Sequence, residues 1–568
     1  MQQGGVRLSG RRRSVIMRPR RRRSVIIAVV TLVLVIALGA AGGAYLLQRT
    51  IGSPSQTAAA YLSAWQRGDY PAMDKVSVNV PSSGLAGPLK QAAAELGVRR
   101  LRLSPGRVTA TGGSAQAQFT ATAALASGHV WRYQGRLHLI NKNRHWWVNW
   151  SPAAIYPGLR PGDRFVLSAA WPARAQVLAA DGTALSSPAA IAKSGSLALL
   201  TGNVVAATAA EAKKLGPPYK AGDKIGQGGI EQAYQRQLAG RPSLTIRIDG
   251  PGGRGAATAA RLPAVAGKPV RTSIDMRTQQ AASRAVSSAA TAKPVDIVAI
   301  QPSTGKVVAV VERPGGFDRA LDGIFPPGST FKIVTASALV RKGLRPSSTV
   351  QCPGQVTIGG RTFHNDNNEQ LGTTTLRTAF AVSCNSTFAL LTSQRLSGAS
   401  LASMAATFGF NADPALGIPA TLGRFTTPRA PVDLAAAAFG QGKDLVNPLS
   451  QASVVAAIED GTWRPPQLVT SPAPRQAVRP NKLPAPILDT LRPMMHAVVT
   501  IGTAAGVGFP PGVYGKTGTA QYGSGPNPPS HGWFIGYRGD LAFAVLVEGG
   551  GTGADSAGPI ANAFLRKL

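Results

Sequence analysis

The sequence predicts a multidomain α+β protein. It should hold a single N-terminal transmembrane helix, a small α+β domain, a second small domain, and a larger C-terminal domain in which an antiparallel sheet is flanked by helices. Three observations carry this. Val25–Leu47 is a run of 23 residues without a charge, directly behind a cluster of arginines. Between residues 53 and 150 one amphipathic helical segment precedes several runs of strand character. The C-terminal half carries three short motifs, S-x-x-K, S-x-N and K-T-G, in one order. At 568 residues and 44% hydrophobic content, the chain has material for two to four cores.

The uncharged run is long enough to cross a bilayer once. Arg7, Arg11, Arg12, Arg13, Arg18, Arg20, Arg21, Arg22 and Arg23 lie in the first 24 residues with no acid among them. Positive flanks stay cytoplasmic, so residues 1–24 read as a cytoplasmic basic tail, 25–47 as the anchor, and the rest as extracytoplasmic. A cleaved leader is the alternative, because Ala-Gly-Gly-Ala closes the run; leader cores are shorter, about 7–15 residues. The formal charge is +36, leaving +27 beyond the tail. Two readings of that remainder stay open: a composition rich in Ala, Arg and Gly, or attraction to anionic lipid, wall polymers or a pyrophosphate-bearing substrate. Nucleic acid is not expected as a partner, since no recognition motif lies outside the tail. Cys352 and Cys384 are the only cysteines. Outside the cytoplasm they form either a disulfide or two buried thiols.

Residues 53–155 form the first domain. Thr57–Asp74 reads as a helix broken by a turn at Arg67-Gly68-Asp69, with Ala60, Leu62, Ala64 and Trp65 toward its buried side. Strands are expected at Arg107–Thr111, Ala115–Leu125, Val130–Ile140 and Trp146–Trp150, the last two joined at Asn141-Lys142-Asn143. Trp146, Trp147 and Trp150 read as core. Residues 158–270 form the second domain, in which Glu231 is expected to pair with Arg241. Pro251–Lys268, rich in Gly, Ala and Pro, reads as a hinge. Residues 271–568 form the third. Val295–Gln301 and Val307–Val311 read as a hairpin, Leu371–Val382 as helical, Phe543–Glu548 as a strand and Pro559–Lys567 as a closing helix.

The motifs carry the chemistry. Pro326-Pro327-Gly328 halts the preceding chain, and Phe331–Lys342 has a helical pattern, so Ser329 sits at or near a helix N-terminus. Lys332, three residues on, shares its face. A serine hydroxyl needs an adjacent base to attack, and a buried neutral lysine serves as one. Ser383 and Asn385 belong to the S-x-N motif, which also contains Cys384, so a bridge to Cys352 would brace that wall. Gly515–Gln521 alternates like an edge strand able to pair with an extended peptide. On it Lys516 adds positive charge, Thr517 and Thr519 offer hydroxyls to a carboxylate, and Gly518 leaves room for close approach. The six histidines show no metal-ligand spacing, so neither a metal nor another cofactor is expected.

Together, Ser329-Thr330-Phe331-Lys332, Ser383-Cys384-Asn385 and Lys516-Thr517-Gly518 resemble the motif set of penicillin-binding proteins. Over nearly its whole length the chain resembles a class B penicillin-binding protein, a monofunctional peptidoglycan D,D-transpeptidase. Residues 53–155 resemble the nuclear transport factor 2-like domain, small and cone-like, at the front of some members. Ala173–Gly182, Gly229-Ile230-Glu231 and Leu238-Ala239-Gly240-Arg241 resemble segments of the pedestal, or dimerisation, domain, although Ala175 replaces a glycine and Ala179-Ala180 an Asp-Arg pair. Thr272–Asp275 with Gln279-Gln280-Ala281 resembles the entry to the transpeptidase domain, whose fold is β-lactamase-like. His531–Tyr537 resembles the strand beside the K-T-G strand, with His531 structural. The resemblance implies an acyl-enzyme on Ser329, proton relay by Ser383, substrate positioning by Asn385, and an oxyanion hole from the backbone N–H groups of Ser329 and Thr519. Peptidoglycan stem peptides and β-lactams are the implied ligands. The membrane and a glycan-strand polymerase, or other division or elongation proteins, are the implied partners. A D,D-carboxypeptidase using water, and a slow β-lactam-binding scaffold or sensor, remain the alternatives.

Overall fold

The computed structural model describes residues 52–568 except 254, 256, 315, 317 and 526, together with residues 31, 33 and 35. The expected membrane span at 25–47 therefore lies outside the described residues apart from those three. Among the described residues no helix is long and apolar enough to cross a membrane. The chain divides into two compact units: residues up to 168 with 245–262, and residues 169–244 with 263–568.

In the first unit the helix Pro54–Arg67 starts at a capping box between Ser53 and Gln56 and ends at left-handed Gly68. It buries Tyr61, Leu62 and Trp65 against a five-stranded sheet ordered Ser77–Val78, His145–Asn149, Val130–Lys142, Ser114–Leu125, Val98–Thr111. Along Ser114–Leu125 alternate residues from Ala115 to Leu125 are buried. Four of these are alanines, which leave room for the helix, and the Trp65 ring meets Phe119 edge-on at 5.9 Å. Phe119 faces Gly135 across the strand pair. A methyl there would lie 2.0 Å from the ring, so only glycine fits beneath it. The hairpin turn falls at Asn143-Arg144, with φ of 53° and 68°, later than the expected Asn141–Asn143, because a two-residue turn needs two left-handed residues. Trp146 and Trp150 are buried and Trp147 is half-buried. The helix Ala86–Leu96 was not expected from sequence, and neither was the strand that follows it as early as Val98. The expected hinge contains a strand, Ala257–Leu262, paired with Ser243–Asp249. Its small residues gain strand structure from a distant partner that local composition does not reveal.

In the second unit Glu231 is held by Arg174 at 2.6 Å, with both side chains largely buried, in place of the Arg241 pairing. The Arg241 backbone instead bridges to Val265. Sequence proximity suggested the wrong arginine, because Arg174 arrives from 57 residues upstream. The helix Met276–Ser287 is capped by Asp275 and leads to an antiparallel sheet ordered Lys306–Arg313, Val295–Gln301, Ala542–Val547, Ser530–Tyr537, Tyr514–Gln521. Every residue of Ala542–Val547 is buried, so helices cover both faces of the sheet. Pro448–Asp460, Met276–Ser287 and Ala557–Arg566 pack against it. Buried Gln279 gives and takes a hydrogen bond with the Val310 backbone, fastening a helix to one edge strand. Tyr514–Gln521 is the opposite edge. Gly372–Thr375, expected as helix, pairs with Thr349–Cys352. Its three consecutive threonines favour extended backbone, and Thr375 then caps the helix Leu376–Ala381.

A buried charge cluster steadies the chain leading to Ser329. Arg319 contacts Asp296 at 2.8 Å and Glu548 at 3.0 Å. Glu312 accepts from the Ala320 N–H at 2.8 Å. Burial pushes Asp296 up to about 7, against the pull of Arg319. Burial, reinforced by Asp318, pushes Glu312 up to about 9. A carboxyl raised above its unfolded value near 4.5 contributes stability that is complete below that value and is lost as pH climbs through about 9. Glu312→Gln keeps the acceptor for Ala320 and removes the titration. Its melting temperature relative to the parent protein should therefore rise steadily between about pH 5 and pH 9. A pH-independent difference in thermal unfolding would show that Glu312 is not held protonated.

Candidate active site

Gly328 has φ of 54°, and a Cβ on it would lie 2.5 Å from Thr519 O, so this glycine lets the serine turn abut the edge strand. Its N–H donates to Gly440 O at 3.0 Å. Gly328–Phe331 forms a 3₁₀ turn that runs into the α-helix Lys332–Val340. Ser329 thus precedes the α-helix by one tight turn, in which residues three apart eclipse. Thr330 locks the turn: its hydroxyl donates to Pro327 O at 2.8 Å and accepts from Gln451 Nε2 at 2.5 Å.

Lys332 is inaccessible to solvent. Its Nζ lies 2.9 Å from Ser329 Oγ, 3.1 Å from Ser383 Oγ, 2.7 Å from Ser383 O and 2.6 Å from Asn385 Oδ1. The two carbonyl oxygens can only accept, so each takes an N–H. When the amine is neutral, its lone pair is left for a hydroxyl proton. Burial holds the Lys332 ammonium well below its ordinary range, against the attraction of the Phe388 and Phe439 ring faces 5.6 and 5.9 Å away. The neighbouring Lys516 pushes it the same way, and Asp366 opposes both.

Ser383 adopts φ of 66°, a left-handed conformation that costs a non-glycine residue about 1–2 kcal/mol. That turn presents both its carbonyl and its hydroxyl to Lys332. Cys384 follows and is joined to Cys352 by a disulfide closing a separation of 32 residues. Such a loop contributes about 3–4 kcal/mol and keeps the strained turn in place. Asn385 begins the next helix, and its Nδ2 donates to His364 O at 3.1 Å.

On the edge strand, Lys516 is also inaccessible. Its Nζ donates to Ser383 Oγ at 2.9 Å and Thr517 O at 3.0 Å. Burial lowers it to about 7, with Asp366 opposing. Ser383 Oγ therefore bridges the two lysines. Thr517 and Thr503 share a hydrogen bond of 2.6 Å. Gly518 passes close to Thr330 and the Pro327 carbonyl, where a Cβ would sit 2.8 and 3.0 Å away. Of the eight residues singled out from the sequence, Ser329, Ser383, Thr517 and Thr519 line one cleft of about 380 Å³, Lys332, Asn385 and Lys516 are hydrogen-bonded behind it, and Gly518 lies between the two threonines on the edge strand. A cavity of about 610 Å³ elsewhere in this unit is larger, so chemistry and not volume identifies the site. Sequence reasoning missed Thr503, Gln451, Asp366 and Glu369, which carry no motif. His531 is lowered by burial to about 4. It accepts from the Gly549 N–H and stacks on Tyr522 at 4.1 Å, so it packs as a neutral ring. Among the described residues no His, Cys, Asp and Glu group could hold a metal.

Comparison with known proteins yields three domain matches: a penicillin binding protein transpeptidase domain over residues 296–566, an NTF2-like N-terminal transpeptidase domain over 53–163, and a penicillin-binding protein dimerisation domain over 191–272. The chain is 31% identical over 335 residues to the peptidoglycan D,D-transpeptidase PbpA of Mycolicibacterium smegmatis, covering 47% of this chain and 66% of that protein. It is 23% identical over 406 residues to the peptidoglycan D,D-transpeptidase MrdA of Acinetobacter baumannii, covering 60% of each. Among solved structures, Pseudomonas aeruginosa PBP2 superposes with a TM-score of 0.59 and 25% identity, over 71% of this chain and 96% of that one. Penicillin-binding protein A of Mycobacterium tuberculosis, solved as a ceftriaxone acyl-enzyme complex, shares the fold with a TM-score of 0.54 and 21% identity, over 70% of this chain and 98% of that one. With its transpeptidase, dimerisation and NTF2-like domains in place, the chain belongs to the class B penicillin-binding proteins.

Proposed function

We propose that the protein is a serine D,D-transpeptidase that joins peptidoglycan stem peptides through an acyl-enzyme on Ser329 and is acylated there by β-lactams. The observation that carries this reading is the enclosure of Lys332 Nζ by Ser329 Oγ, Ser383 and Asn385 at 2.6–3.1 Å without access to water. Neutral Lys332 takes the Ser329 proton as Oγ attacks the D-Ala–D-Ala carbonyl. The oxyanion meets the backbone N–H groups of Ser329 and Thr519, each such donor contributing about 10²–10³ in rate. Ser383, hydrogen-bonded to both lysines, passes the proton to the departing D-Ala nitrogen. The donor peptide lies along Tyr514–Gln521 as an added strand, its carboxylate at Lys516, Thr517 and Thr519. The names of the PbpA and MrdA relatives support the same substrate class. Val25–Leu47 would anchor the chain with the catalytic domain outside the membrane, a reading supported by the arginine cluster before it.

Intact-mass spectrometry after exposure to penicillin should show one adduct, mapping to Ser329, and none in Ser329→Ala. A persistent adduct in that variant would refute the assignment. Lys332→Ala should slow acylation about 10²- to 10⁴-fold. Acylation should rise with pH as Lys332, held well below its ordinary range by burial and by Lys516, sheds its proton. It should then fall as Lys516 loses its charge, with a midpoint near 7. A falling limb that stays in place in Lys516→Arg, measured as the second-order acylation rate against pH, would show that another group sets it.

A further inference from the structure

The cleft has a wall that the chemistry above leaves unused. Asp366 and Glu369 line it together with Ser329, Ser383, Thr517 and Thr519. Asp366 opens a 3₁₀ turn, Asp366–Asn368, and Glu369 follows it, between the strands Arg361–His364 and Gly372–Thr375. That turn is bolted to the S-x-N segment. Asn385 Nδ2 holds His364 O at 3.1 Å, and the Ser386 N–H donates to Asn365 Oδ1 at 2.9 Å. Asn365, 6% exposed, also donates to Glu369 O at 2.6 Å and Pro353 O at 2.8 Å. Both carboxylates are exposed, and neither is in an ion pair among the described residues. Only 25 acids stand against 61 basic residues in the whole chain, yet two acids face the nucleophile. The same cleft is lined by Thr517 and Thr519 of the edge strand, with the Lys516 amine buried behind them, and that strand suits an anion. The cleft is therefore polarised across Ser329.

We infer that Asp366, with Glu369, forms the acceptor subsite: it captures a primary ammonium group and delivers it to the acyl-enzyme in preference to water. This rests on the transpeptidase reading above and assigns residues to the acceptor side of the cleft. The bound ammonium gives one proton to solvent. The amine nitrogen then attacks the Ser329 ester, a second proton passes through Lys332 to Ser329 Oγ, the ester C–O bond breaks and an amide forms. This resolution step releases one proton, which balances the one that the free D-Ala amine takes up after acylation. Asp366 also opposes the electrostatic discharge of Lys332 and Lys516, so its effect on acylation has to be separated from its effect on the acceptor.

Partitioning of the acyl-enzyme does this, because it is counted per acyl group formed. The full chain is acylated with a D-alanyl thioester and offered glycinamide, largely cationic at neutral pH, or hydroxylamine, largely uncharged. In the Asp366→Asn, Glu369→Gln double variant, capture by glycinamide relative to hydrolysis should fall roughly fivefold, the size of two exposed charge contacts. Capture by hydroxylamine should stay within about twofold, Asp366→Glu should restore the glycinamide preference, and salt should weaken it in the parent. Asp366→Asn alone serves if the double variant does not fold. Unchanged glycinamide partitioning, or equal losses for both acceptors, would overturn the subsite. A parent protein that forms no acyl-enzyme at Ser329 would instead overturn the transpeptidase reading, and the subsite with it.

Discussion

Two lysine amines shut off from solvent share one serine hydroxyl, and the rest of the catalytic unit is arranged to hold them there. An ammonium in an apolar enclosure is unstable unless it is paired or neutral. Lys332 is shut off from solvent, and the charge that acts on it most strongly is another lysine. The fold thus favours the free amine, the form that can act as a base. The carbonyl oxygens of Ser383 and Asn385 fix which way that amine points.

Holding this arrangement requires strain and bracing. The left-handed Ser383 turn, its neighbouring disulfide and the contacts of Asn365 form one buttress. Gly328 against Thr519, with Thr330 tied to Gln451, forms the other. Between them the serine turn and the edge strand approach closely while the strand's outer side stays open for an extended peptide. A cluster of carboxylates about Arg319 steadies the chain leading to the serine turn. Most of these groups are not chemically reactive; they set distances, which is where positional catalysis resides.

The polar division of the cleft follows from the same arrangement. The edge strand brings Lys516 and hydroxyls, and the turn fastened to Asn385 and Ser386 brings Asp366 and Glu369. A donor with a terminal carboxylate and an acceptor with an ammonium group have opposite charges, and the two walls sort them before any bond is made. Fastening the acidic turn to the S-x-N segment couples acceptor placement to the residues that relay the proton.

By itself the sequence placed Ser329 beside Lys332 and marked out the S-x-N pair and the edge strand, because local spacing sets those geometries. Three residues in a tight turn put Lys332 beside Ser329, and period-two alternation puts Gly515–Gln521 in a strand. It also placed the first helix with its break at Gly68 and the Val295–Gln301 hairpin. Tertiary structure alone decided what depends on distant partners. Arg174 and not Arg241 meets Glu231, since the two segments converge only after folding. Residues 257–262 became a strand because Ser243–Asp249 offers an edge, and the threonines at 373–375 paired with Thr349–Gln351 instead of joining a helix. Thr503, Asp366 and Glu369 entered the cleft by the same route. The Cys352–Cys384 bridge, left open by composition, closed because folding brought the two Cα atoms within 6.2 Å. Charge and hydropathy are local properties of a chain, whereas convergence of side chains is a property of its packing, and only packing places an unpaired carboxylate opposite a buried lysine.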